Sequence, residues 1–216
     1  FNVYLRMKII SFFLFFSITS SYYLQNFEGK IEFNVIHKQK DSSLAFNNSL
    51  PSKMNYYISG EFSRIDQITT LGNQSLIIDT ISKNSLLLIN LMEQQICINI
   101  NNEKDTNEVI AIKYLDYYKN ILNYKCQKAI VNSYNKQTEK NSTSVVFFTK
   151  EISNSYSNNF EGLIGFPLSY EINSSDIIST YTAINIKKKN IDPQFFTTDK
   201  NTKTYSLDEF KNLMNQ

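Results

Sequence analysis

The chain has no tryptophan, 1 histidine, 2 cysteines, 3 prolines and 5 glycines among its 216 residues, and each scarcity argues against a class of function. The lone histidine, His37, lies in a polar stretch beside lysines. A Ser-His-Asp hydrolase would have to use it, yet no nucleophile elbow surrounds it. One histidine and two separated cysteines fall short of a zinc ligand set. So few glycines do not suit a phosphate-cradling loop, and so few prolines do not suit a Pro-rich linker. No charge sign dominates, with 22 basic against 20 acidic side chains. The one basic run, Lys187-Lys188-Lys189, reads as a solvated strand end, so nucleic acid is not an expected partner. No spacing singles out a pair among the acids. The expectation is a non-catalytic protein with no metal and no cofactor.

Long apolar runs are missing too, with one exception. Met7-Lys8 opens the run Ile9-Ile10-Ser11-Phe12-Phe13-Leu14-Phe15-Phe16-Ser17-Ile18, which Thr19-Ser20-Ser21 closes. A basic start, a short greasy middle and small residues at the end form a secretory leader. The run falls short of the roughly 20 apolar residues that span a bilayer. Met7 reads as the start, with residues 1–6 upstream of it. The expectation is a leader within residues 1–21, cut near Ser20 or Ser21, and one domain over 22–216 with no transmembrane span. Export places the product in the periplasm, at the outer envelope or outside the cell. Removing residues 1–21 takes Arg6 and Lys8 and no acid, leaving 20 basic against 20 acidic side chains. Export also permits a disulfide between Cys97 and Cys126. Two separate buried thiols fit the same sequence.

What the chain does have is Phe, Tyr, Ile and Thr, residues suited to a half-buried pleated surface. From Phe27 to Ile36, apolar Ile31, Phe33 and Val35 alternate with Lys30, Glu32 and Asn34, which is the period of a one-sided strand. Short runs follow at 54–58, 62–69, 75–80, 85–90 and 95–100, separated by turn residues such as Ser59-Gly60, Leu71-Gly72-Asn73-Gln74 and Ser82-Lys83-Asn84. That spacing predicts a meander of hairpins. Residues 37–52 read as a loop. Residues 108–118 fit either helix or strand, and strand neighbours favour strand. Further strands are expected at 124–132, 144–149, 168–173 and 177–187. Ser206-Leu207-Asp208-Glu209 has the form of a capping box, with Leu207, Phe210, Leu213 and Met214 on one helical face behind it. The predicted architecture is mainly β: one curved antiparallel sheet of about 10–11 strands, with a few short helices including a C-terminal one. A sheet this wide must curl, split or close, and an open half-barrel is the expected solution.

Four segments resemble a known group. Ile121-Leu122-Asn123-Tyr124-Lys125-Cys126-Gln127-Lys128-Ala129 is similar to the "I-x-G-Y-K-C-x-K-A" strand of GLPGLI-type exported bacterial proteins and a neighbouring family of unknown function. Asn123 stands at the usual glycine. Phe147-Phe148-Thr149-Lys150-Glu151-Ile152 resembles the strand that follows there. Phe160-Glu161-Gly162-Leu163-Ile164-Gly165-Phe166-Pro167-Leu168 is similar to the neighbour's "G-L-x-G-x-P-L" segment, with Ile164 where the GLPGLI string has proline. Tyr57-Ile58-Ser59-Gly60-Glu61-Phe62-Ser63-Arg64 resembles its "Y-I-x-G-x-x-x-R" hairpin. The resemblance implies a fold like that of periplasmic lipoprotein carriers (LolA-like): an open curved sheet, lidded by helices, around a cavity for acyl chains. It supplies no catalytic residues.

Two functions follow as expectations. In the first, the exported protein binds a lipid, a lipidated protein or another hydrophobic ligand inside the curved sheet, with Leu163, Ile164 and Phe166 as the lid. In the second, it is a structural or interaction protein of the envelope with a filled core. The Gly162–Gly165 segment reads most simply as a shaped turn carrying an apolar plug.

Overall fold

The structure, a computed structural model, describes residues 27–41, 50–69, 72–91, 94–101, 107–174, 176–199 and 202–214. The expected leader, residues 1–21, lies outside the described residues.

Alternation of apolar and polar residues turns almost every predicted run into a strand. The first meander is β1 (Gly29–Gln39), β2 (Lys53–Ser59), β3 (Phe62–Thr69), β4 (Gly72–Asp79), β5 (Asn84–Leu91) and β6 (Gln94–Asn101). The second is β7 (Glu108–Ile121), β8 (Tyr124–Asn135), β9 (Lys140–Thr149), β10 (Phe166–Asn173) and β11 (Ile177–Lys188). β1 pairs antiparallel with β11, which splices the two meanders into one sheet. With β12 (Lys203–Ser206) the sheet has 12 strands, in the order β12-β6-β5-β4-β3-β2-β1-β11-β10-β9-β8-β7. It is curved and does not close, so the open half-barrel is the observed architecture.

Chain length alone demands the curl. β6 and β7 are consecutive in sequence yet stand ten strand spacings apart, which would be about 48 Å in a flat sheet. Seven Cα steps join Asn101 to Glu108 and reach at most about 25 Å. The two ends of the sheet must therefore bend toward each other.

Three expectations are corrected. The sheet has 12 strands rather than 10–11, because the short β12 lies in a stretch to which the sequence reading assigns no element. It is not wholly antiparallel, since β12 runs parallel to β6. The segment taken as loop from residue 37 begins as strand, because β1 continues to Gln39 against β11. The ambiguous stretch at 108–118 is strand. The capping box is present: Ser206 Oγ accepts from Glu209 N at 3.2 Å, and Glu209 Oε2 accepts from Ser206 N at 2.7 Å. It opens helix α1 (Leu207–Met214), which packs beside β12 and β6 while Leu207 and Leu213 stay exposed.

Two apolar clusters hold the fold. The main one fills the concave side and gathers Phe33, Tyr56, Ile58, Val146, Phe148 and Leu168 with their neighbours. The second lies on the opposite face of β3–β6, where Ile77, Leu88 and Cys97 meet Ile191 and Phe196. A strap over residues 189–199 supplies that cover, with a 3-10 turn at Pro193–Phe196. Arg64 is its clamp. Its guanidinium donates to Phe195 O at 3.0 Å and lies 4.4 Å over the Phe195 ring, while Asp66 Oδ1 and Ser75 Oγ accept its other protons.

Candidate functional site

The concave side is where the carrier expectation puts a ligand. Three of the largest residues there stack in a row: Phe33 lies 5.6 Å from Tyr56, and Tyr56 meets Phe166 edge-on at 5.1 Å. Tyr170 adds an edge contact to Phe33 at 6.2 Å and stacks on Tyr181 at 4.7 Å. Edge and offset contacts of this kind fill space without voids. Tyr56, Tyr170, Phe33, Phe148 and Phe166 are all fully buried.

Residues 150–165 pass over this row and are fastened to it. A 3-10 turn at Asn154–Tyr156, capped by Ser153, places Tyr156 against β2 and β3. Ser63 Oγ donates to Tyr156 O at 2.8 Å, and Tyr156 OH donates to Gly60 O at 2.8 Å. Phe166 N donates to Ile152 O at 2.9 Å. Gly165 is required for close approach: a Cβ there would collide with Thr149 O and C of β9.

The predicted lid divides. Leu163 and Phe166 belong to the main core, 4% and 0% exposed, whereas Ile164 is 53% exposed. Ile164 N donates to Tyr114 OH at 3.2 Å, which ties the loop to β7 instead of aiming Ile164 inward. The three residues do not share one surface.

The interior also carries phenols. Asn159 Nδ2 donates to Tyr170 OH at 3.4 Å, and Tyr56 OH donates to Asn158 Oδ1 at 3.5 Å. Burial pushes the Tyr56 and Tyr170 phenols well above the ordinary tyrosine range, so both are neutral donors and acceptors rather than bases at neutral pH.

The cysteines are free. Cys97 belongs to the strap cluster on β6 and Cys126 to the main core on β8. Eight strands separate β6 from β8 in the sheet order, so of the two arrangements the sequence left open the structure has two independent buried thiols. Cys126 is buried together with Ala129 and Val131, although strict period-two alternation places residue 126 on the face opposite 129 and 131. The inward phase changes at Gln127–Lys128, opposite the register slip between Tyr114 and Tyr118 in β7. Burial pushes the Cys126 thiol up to about 11.

Sequence reasoning missed one pairing. His37 Nδ1 lies 2.8 Å from Ser179 Oγ, and Nε2 lies 2.9 Å from Pro51 O. A carbonyl can only accept, so Nε2 carries a proton, and in the neutral ring Nδ1 accepts from the serine. Ser179 sits inside β11, paired with His37 on one side and Ile172 on the other. Its backbone is committed to the sheet, which leaves no ready donors for an oxyanion. The geometry is that of a cross-link between strands. At the same end of the sheet, a polar groove of about 520 Å³ runs between Lys40, Asn135, Lys140, Thr143 and Asn173. Its lining side chains are lysines, asparagines, serines and a threonine.

No helix among the described residues is long and apolar enough to cross a membrane. Set against known proteins, the chain matches no family model and no curated protein.

Proposed function

We propose that this chain is a non-catalytic, exported protein of the cell envelope that acts through its surface, with the inside of its curved sheet filled by its own side chains. The observation that carries this reading is the seated row of Phe33, Tyr56, Phe166 and Tyr170 under residues 150–165, each of the four at most 1% exposed. An acyl chain would have to evict side chains whose burial is each worth about 1.5–3 kcal/mol. The leader-like run at Ile9–Ile18 and the resemblance to GLPGLI-type proteins support the compartment.

The carrier reading needs residues 150–165 to lift away, exposing Ile152, Leu163 and Phe166 together. Native mass spectrometry of the secreted product, after incubation with a lipid extract, separates the two readings. A bare protein mass supports the filled interior. A stoichiometric lipid adduct that survives purification overturns it in favour of a lipid or lipidated-protein carrier.

A further inference from the structure

We propose that the β7–β8 hairpin and the outer face beside it form a docking surface for a membrane that carries anionic lipids. The proposal rests on the reading above of an envelope protein that works through its surface, and it names the partner.

Among the described residues β7 is an edge strand of the sheet. Near its end the register slips between Tyr114 and Tyr118, and Tyr117 and Tyr118 are 55% and 46% exposed. Lysines are interleaved with these rings. Lys119 Nζ lies 3.6 Å over Phe147, Lys128 Nζ 5.8 Å from Tyr117 and Lys125 Nζ 4.6 Å from Tyr118. Tyr117 and Phe147 themselves meet edge-on at 6.1 Å. Among the described residues none of the three lysines makes an ion pair. Asp116, in the same slip, is the nearest acid along β7. Residues 108–149 hold 6 lysines against 3 acids, whereas the chain from residue 22 onward is balanced. Ammonium groups resting on ring faces keep their charge available to an anionic surface.

The tip of the hairpin adds an apolar element. Ile121 pairs with Tyr124, so Leu122 and Asn123 form the whole turn. Leu122 has φ 53° and is 45% exposed. That backbone region favours glycine and disfavours a bulky side chain, and neither core cluster includes Leu122. An apolar residue held in a disfavoured turn and pointed at solvent is poor design for folding alone. An apolar tip backed by tyrosine and lysine matches the layering of a membrane interface. A soluble anionic glycan would use the lysines and rings but would leave Leu122 unexplained.

The test is co-sedimentation of the protein, purified as it is secreted, with vesicles of mixed phosphatidylglycerol and phosphatidylcholine, compared with phosphatidylcholine alone. Binding is expected to the first only, to weaken with added salt, and to fall about five-fold for each of Lys119→Gln, Lys125→Gln and Lys128→Gln. Leu122→Gly is expected to lower binding while leaving the thermal midpoint unchanged or higher, since glycine suits this φ. A leucine that served only the fold would lower the midpoint instead. Equal binding to both vesicles, an unimpaired triple glutamine variant, or capture by a soluble anionic polysaccharide without vesicle binding would each overturn the proposal. A lipid adduct in the native mass spectrum, with vesicle binding that ignores the hairpin variants, would instead refute the filled interior.

Discussion

The two halves of the sheet solve the same problem differently. From β3 to β6 both faces are covered, so neighbours on one strand are buried in opposite directions: Ile77 faces the strap and Ile78 the main core, while Cys97 and Ile98 are each 1% exposed. From β7 to β9 only the concave face is covered, and the other carries Lys128, Val145 and Phe147 beside Tyr117. A two-sided strand reads as a continuous apolar run and a one-sided strand as an alternation. Leu76-Ile77-Ile78 and Leu86-Leu87-Leu88-Ile89 are such runs; Val145-Val146-Phe147-Phe148 is an equally unbroken run, and there only the burial alternates, with Val146 and Phe148 buried and Val145 and Phe147 half-buried. The comparison says where this protein invests in stability and where it leaves a surface free.

The sharpest way to break that comparison is a charge on the same chemical face of each half. Ile77→Lys places an ammonium beneath the strap, where Ile77 is 3% exposed, and should abolish folding or cost well over about 3 kcal/mol. Val145→Lys, half-buried on the bare side of β9, should cost less than about 1 kcal/mol. Urea denaturation of both variants measures the gap, and equal losses would mean that the outer face of β9 is covered as well.

A smaller effect should separate the two cores. Phe166→Ala removes a ring that touches Tyr56 in the main core and should cost about 3–5 kcal/mol. Phe196→Ala, in the strap cluster, should cost about 2 kcal/mol. The strap variant should also speed alkylation of Cys97 in the folded protein while leaving Cys126 protected, because the two thiols sit in different clusters. Acceleration at both sites, read by mass spectrometry of tryptic peptides, would mean that the cores open as one unit.

The smallest effect comes from pH. The folded Cys126 thiol ionises at about 11 against an ordinary value of 9.0, and Tyr56 and Tyr170 are raised above 10.0, all by burial. A raised pKa on an acid means that the folded state holds its proton more tightly than the unfolded one. The resulting stability is fully present below about pH 9 and is lost as pH climbs through 11 and beyond. Urea midpoints should stay level from pH 7 to about 8.5 and then decline, and Cys126→Ala should flatten the first part of that decline.

Much of this fold was legible because hairpins are local. Period-two alternation in Ile31, Phe33 and Val35 and turn residues such as Ser59-Gly60 mark strands without reference to the rest of the chain. The capping box at Ser206–Glu209 is equally local. What escaped depends on residues far apart in sequence. The strap that covers Ile77 and Leu88 arrives from residues 191–196, and nothing near β4 or β5 announces it except their unbroken apolar runs. β12 joins β6 in parallel only because the strap delivers it there. The choice between a disulfide and two separate thiols stayed open for the same reason, since spacing between Cys97 and Cys126 carries no information about their places in the sheet order. For the candidate site, the reading of Gly162–Gly165 as a shaped turn with an apolar plug fits Leu163 and Phe166. The lid reading grouped Ile164 with them, and only the bond to Tyr114 reveals that it faces away.

The most direct measurement of the central claim is a titration of the folded protein with a dansyl-labelled fatty acid, followed by fluorescence. A concavity already occupied by Phe33, Tyr56, Phe166 and Tyr170 predicts no saturable uptake below the probe's own aggregation concentration. Tight one-to-one binding to wild-type protein, lost on introducing a charge at Val146 inside the sheet, would contradict it.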